Sequence, residues 1–258
     1  MEVRAWLDSM YSHGQLLFTF EDAREARSSS TSSTLSSLAR AQRDHLVFSP
    51  VRGLYVIVPP ENRTDGAPPW PWYLDPMLRH LHVHYYVGLL TAAAQHGASP
   101  QAAQETQVVV EHAVRDRLAG RQRLVFITSP RARAAPVDQI TTPTGHVRIA
   151  TRELTMLDLV TYPGRAAGWG NVVSILRQLA PGTTHKGLRD MLRVEPATRQ
   201  VQRLGYLLDR AGAPYTDVLA KWLQGRRLVA SPLVPGGSKL GTPDARWRIF
   251  ADAWVQPD

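Results

Sequence analysis

The chain has 258 residues, 43% of them hydrophobic, no cysteine, and a formal charge of +8 at neutral pH. That is apolar material for two compact domains or one large one, and it excludes a disordered chain, structural disulfides and thiolate metal sites. No run of about 20 apolar residues is present to span a bilayer, and Met1–Trp6 lacks the basic and apolar stretches of a secretory signal, so the expectation is a cytoplasmic protein with no membrane partner.

In chain order, Val3, Trp6, Leu7 and Met10 recur at helical spacing and predict a first amphipathic helix over Glu2–His13, closed at His13-Gly14. A short apolar segment, Leu16–Phe18, leads to Thr19, an N-cap followed by Glu21 and Asp22, which opens a second helix to about Arg27. The hydroxyl-rich run Ser28–Thr34 has the composition of a linker. Its continuation places Leu35, Leu38 and Ala39 on one helical face, so the expectation is a third helix from about Ser30 to Arg43. Leu46-Val47-Phe48 and Leu54–Val58 then read as two strands joined through Pro50–Gly53. Three helices and a hairpin in this order are the pattern of a winged helix-turn-helix, whose third helix enters the major groove while the hairpin leans on the backbone.

Pro59–Pro71 predicts a stiff, extended connector. Beyond it the pattern gives helices near Pro76–His80 and His84–Gln95, and strands at Thr106–Val110, Leu124–Thr128 and His146–Ile149. Helices follow at Arg152–Val160, Asn171–Leu179, His185–Leu192, Ala197–Arg210 and Tyr215–Leu223, with strand-like pieces at Leu228–Ala230 and Arg246–Phe250. The expected fold class is α+β: a winged helix-turn-helix at residues 1–60, a Pro-rich linker at 61–72 and a larger, helix-rich α+β domain at 73–258.

The basic balance favours a polyanion such as nucleic acid, although an arginine-rich, high-GC genome would give the same excess. Over residues 1–60 six arginines (4, 24, 27, 40, 43 and 52) are matched by six acids, so the whole excess lies beyond the hairpin. The expected DNA-contacting set is Ser29, Ser30, Thr31, Ser32, Ser33, Ser36, Ser37, Arg40 and Arg43 on the third helix and Arg52 at the wing tip. Arg115, Arg117, Arg121, Arg123, Arg131 and Arg133 would add phosphate contacts from the second domain. His80, His82 and His84 suggest a metal site, but no Glu stands between them as in His-Glu-x-x-His; a helix surface is the plainer account. Gly168-Trp169-Gly170-Asn171 reads as a tight loop with Asn171 as helix cap. No nucleophile elbow, paired-carboxylate motif or dinucleotide fingerprint appears, so neither a catalytic residue nor a cofactor is expected.

Several segments together resemble the antitoxins of the AbiE type, from type IV toxin–antitoxin systems of abortive phage infection. They are Arg52-Gly53-Leu54-Tyr55-Val56, Tyr85–Gly97, Thr151–Val160 with Gly168–Asn171, Arg203–Leu208, and Asp244–Trp247. The resemblance implies a non-enzymatic regulator. It would bind inverted repeats in its own promoter as double-stranded DNA, repress its operon, and counteract a nucleotidyltransferase-like toxin without the need of a stable complex. Two other readings remain: a protein-interaction module with no DNA role, or an enzyme that processes nucleic acid.

Overall fold

The computed structural model describes residues 2–98 and 105–251. The first sixty residues fold as helix α1 (Val3–Ser12), strand β1 (Leu17–Thr19), helices α2 (Phe20–Ala26) and α3 (Thr31–Arg43), and the hairpin β2 (Val47–Val51) and β3 (Leu54–Ile57). The sheet order is β1-β3-β2, antiparallel throughout. This is the element order expected for a winged helix. Thr19 caps α2 through a reciprocal box with Asp22. Trp6, Leu7, Phe18, Leu38, Val47, Tyr55 and Ile57 build a small core, with Phe18 edge-on to Trp6 and stacked on Tyr55. Pro50 sits inside β2 at an irregularity in register between Phe48 and Val51, where its missing N–H removes nothing from the ladder.

Every residue of β3 is buried. Successive side chains of a strand point to opposite faces. Tyr55 and Ile57 therefore face the small core, while Leu54 and Val56, with Val51 of β2, belong to the large core of the rest of the chain. Phe48 continues this second face, its ring 5.1 Å from that of Tyr73.

The proline segment is not an extended connector. Pro60–Asn62 makes a 3-10 turn, Asn62–Gly66 turns again, and Ala67 is buried. Helix α4 spans Trp70–His80, six residues earlier than expected, because Pro71 near its start tolerates helical geometry and Tyr73, Leu74, Met77 and Leu78 face the core. Pro76 lies inside this helix. It cannot donate to the carbonyl of Trp72, and the hydroxyl of Thr144 donates to that oxygen instead at 2.6 Å. Thr144 belongs to the turn between strands β8 (Val137–Thr142) and β9 (Gly145–Ala150), given with their sheet below.

The expected helix over His84–Gln95 begins instead as strand β4 (Tyr85–Val87), and only Leu89–Gln95 is helical (α5). Two tyrosines and a valine favour a strand, and extended Gly88 separates it from the helix. The large sheet has the order β6-β7-β5-β4-β9-β8, with β5 (Glu105–Val110), β6 (Arg117–Ala119) and β7 (Gln122–Thr128). Strands β6 and β8, short or half-exposed at the two edges, carry no strong apolar alternation and gave no signal in the sequence. Helices α6 (Arg152–Thr161), α7 (Trp169–Leu179), α8 (His185–Leu192), α9 (Thr198–Arg210) and α10 (Asp217–Leu223) follow, close to the expected spans. Helix α7 opens at Trp169 with Gly168 as its N-cap residue; Asn171 lies inside it and donates to the carbonyl of Ala166 at 3.0 Å. Two short strands, β10 (Ser231–Pro232) and β11 (Ile249–Phe250), pair in the tail, so the first tail strand falls just after Leu228–Ala230. The chain is thus a mixed α+β protein with strands early and helices late in its larger part.

Close packing fixes two glycines. A Cβ on Gly205 of α9 would overlap the ring of buried Trp247, whose indole N–H donates to Asp209 at 2.6 Å and whose carbonyl accepts from Gln202 at 2.8 Å. A Cβ on Gly88 would stand 3.0 Å from Val109, 3.2 Å from Tyr86 and 3.3 Å from Asp158.

Candidate nucleic-acid interface

Helix α3 starts at Thr31 because Ser30 is its N-cap, its hydroxyl accepting from the Ser33 amide at 3.3 Å. Arg40 and Arg43 fall in the last turn, where cations suit the helix dipole. Its inward face is Thr34, Leu38 and Ala41, not Leu35, Leu38 and Ala39. Thr34 takes the inward place because its hydroxyl is satisfied locally, bonding the carbonyl of Ser30 at 3.0 Å and the hydroxyl of Ser29 at 2.8 Å. Leu35 is left 52% exposed, with Ala39 beside it one turn on.

The outward face accordingly carries Ser32, Leu35, Ser36, Ala39, Arg40 and Arg43, spaced three and four apart, with Thr31 and Ser33 on its margins. Not every expected hydroxyl belongs to it. Ser29 and Ser30 are engaged in the cap, and Ser37 accepts from Arg27 at 3.3 Å. Arg40, Arg43 and, at the wing tip, Arg52 are exposed and make no ion pair among the described residues. The wing is short. Gly53, at φ +85°, turns the chain directly into β3, and its carbonyl accepts from the Phe20 amide at the start of α2.

The six arginines of the second part do not form one patch. Arg117 lies on β6, Arg121 in the turn to β7 and Arg123 at the start of β7, while Arg131 and Arg133 lie on a 3-10 turn past the far end of that strand. Residues 123–128 alone span about 17 Å. Arg121 pairs with Asp65, and Arg123 with Glu105 and Asp116. Arg131 donates to Gln200 at 3.1 Å. Arg115 and Arg133 are exposed.

A cleft that sequence reading did not single out lies on the other side of α4. Asp75, Arg79, His82, Val83, His84, Tyr85, Gln139, His146 and Arg148 line a space of about 620 Å³. Asp75 is buried and fully engaged: Arg79 pairs with one oxygen, and the Tyr85 hydroxyl donates to the other at 2.9 Å. Burial, reinforced by the neighbouring carboxylate, pushes the Tyr85 phenol well above its ordinary range, so it stays a donor. His82 occupies the left-handed region (φ 54°) just past α4, and the Val83 amide reaches back to the Leu78 carbonyl. Glycine is the usual residue at such a helix end. The signal available in the sequence was the alternation His146, Arg148, which places that pair on one side of β9, together with the nearby His82 and His84 of the turn after α4.

Asp158 of α6 is the one deeply buried carboxylate with an oxygen lacking a partner among the described residues; its other oxygen accepts from the Tyr86 hydroxyl at 3.2 Å. Desolvation pushes its pKa up to about 7, against the smaller opposing effects of that bond and of Arg131. It sits in the core beneath Gly88, away from the cleft. Among the described residues no group of three or more His, Asp or Glu side chains is placed to hold a metal ion, and no helix is long and apolar enough to cross a membrane. His80 lies near the wing tip, 3.9 Å from where a Cβ on Gly53 would be.

Residues 86–210 match the family described as the AbiEi antitoxin C-terminal domain. The chain is similar in fold to the crystal structure of the RV2827C protein from Mycobacterium tuberculosis, with a TM-score of 0.65 and 18% identity, over 95% of this chain and 89% of that one. No curated protein matches the chain.

Proposed function

From the premise that residues 86–210 form an AbiEi-type antitoxin domain of a toxin–antitoxin system, we propose that the chain is a DNA-binding antitoxin that represses its own operon. The toxin it counteracts is nucleotidyltransferase-like and the system is of type IV. The protein acts by binding and performs no catalysis. Residues 1–60 serve as the reading unit and residues 73–258 as the antitoxin body. The observation that carries this reading is the outward face of α3: a capped helix, backed by its own core, offering Ser32, Ser36, Arg40 and Arg43 with no ion-pair partner. Short hydroxyls allow close approach to a groove, and guanidinium groups there suit phosphate or guanine.

Mobility shift on the chain's own promoter against shuffled duplex tests it. Arg40→Ala should weaken promoter binding by about 1–3 kcal/mol relative to random DNA if it reads a base. Equal binding of wild type to promoter and shuffled duplex refutes the operator reading. The even charge over residues 1–60 favours one alternative, a protein-docking role for the same helix face. Indifference of that unit to any duplex would select it.

A further inference from the structure

We propose that the cleft between the end of α4 and the β8–β9 hairpin is a binding site for a phosphate group. The one carboxylate in its wall, Asp75, is already shared between Arg79 and Tyr85. What remains is a guanidinium with imidazole and amide groups, each with at least one N–H to donate. Arg148, His82, His84 and His146 line the space, and none of their side chains has a partner among the described residues. The pairing of β8 with β9 sets Gln139 opposite Arg148 and Thr141 opposite His146, so these four share one face of the sheet. Asp138, the nearest further acid on β8, lies at the alternate position and faces the other way. Two guanidinium groups against one spent carboxylate leave net positive charge in a recess, with imidazole and amide N–H groups around it. Such a constellation fits a phosphate's three or four acceptor oxygens and fits neither a cation nor an acyl chain.

His82, in left-handed backbone (φ 54°) just past α4, adds its imidazole to the lining of the recess. The same chemistry has two sources. Gly53 at the wing tip lies beside His80, two residues from His82, so a duplex held by α3 and Arg52 could bring a backbone phosphate here. A free nucleotide could bring the same group alone. The first source rests on the operator reading above; the second does not.

The test uses the full chain as wild type, Arg148→Gln, His82→Gly and Arg40→Ala. Each is titrated at fixed ionic strength with inorganic pyrophosphate, a nucleoside triphosphate and the promoter and shuffled duplexes. His82→Gly should relax the backbone, and a thermal unfolding midpoint read beside each titration separates a lost contact from a damaged fold. The expected result is that Arg148→Gln weakens at least one phosphate probe by about tenfold and His82→Gly weakens the same probe by a smaller factor. A loss confined to duplex, with the salt slope reduced by about one, identifies the DNA backbone as the source. A loss confined to pyrophosphate or nucleotide identifies a soluble ligand. If wild type binds promoter and shuffled duplex equally while Arg148→Gln abolishes pyrophosphate binding, the operator reading falls and the cleft stands. Equal affinity of wild type, Arg148→Gln and His82→Gly for every probe overturns the proposal.

Discussion

Replacing Thr144 by Val removes a hydroxyl at almost constant shape and leaves the Trp72 carbonyl without its donor, because Pro76 has no N–H to offer. The bond is short, 2.6 Å, and part-buried. A net hydrogen bond is worth about 0.5–1.5 kcal/mol and an orphaned buried acceptor costs about 1–3 kcal/mol, so a half-shielded carbonyl sets the expected loss near 1.5 kcal/mol. The second arm is Pro76→Ala. An alanine amide reaches the same carbonyl within the helix, and Thr144 then competes for an oxygen already served. In that background Thr144→Val should cost no more than about 0.5 kcal/mol, a coupling near 1 kcal/mol. Urea unfolding of the four proteins, with midpoints compared at common slope, measures it. Should Thr144→Val be equally destabilising with proline and with alanine at position 76, the hydroxyl is not standing in for the missing amide, and the account of how the β8–β9 turn docks on α4 is wrong.

Stability should fall as pH rises through the acid range because of Asp158. Its folded pKa of about 7 exceeds the ordinary 3.8, so the folded chain holds a proton that the unfolded chain releases between those values. At 1.36 kcal/mol per pH unit the wild type should lose about 3 kcal/mol more than Asp158→Asn between pH 5 and 8, as read by denaturant midpoints; parallel profiles would show the carboxyl to be ordinary. Gly205→Ala drives a methyl into Trp247 and should cost about 3 kcal/mol, a penalty that vanishes in a Trp247→Ala background. His82→Gly should raise stability by about 0.5–1 kcal/mol in thermal unfolding, left-handed strain relieved outweighing the added freedom of the unfolded chain. A drop instead would mean the imidazole packs rather than strains.

Most helices were legible because their signals are local. Thr19 with Asp22, and Ser30 with the periodicity that follows, mark starts that the structure places within one residue. The face of α3 was misread because a hydrophobicity pattern ranks Leu35 above Thr34, whereas the buried threonine satisfies its hydroxyl through Ser29 and Ser30, a compensation invisible in composition. The early start of α4 was hidden for a similar reason. Three prolines and two tryptophans look like a connector until the supplier of the missing hydrogen bond, 72 residues away, is known. Edge strands β6 and β8 and the cleft beside α4 are products of long-range pairing, and nothing in their own neighbourhoods announces them. The arginines at 115–133 were visible as a group in sequence, yet the two ends of one strand separate them and several are spent on internal acids.

Strands β2 and β3 form a party wall. One side holds Tyr55 and Ile57 against α1 and α3, and the other holds Val51, Leu54 and Val56 against α4. A wall shared by two rooms cannot be shifted in one without moving plaster in the other. A single layer of side chains is therefore all that separates the packing of α3 from that of α4, the helix whose end borders the cleft.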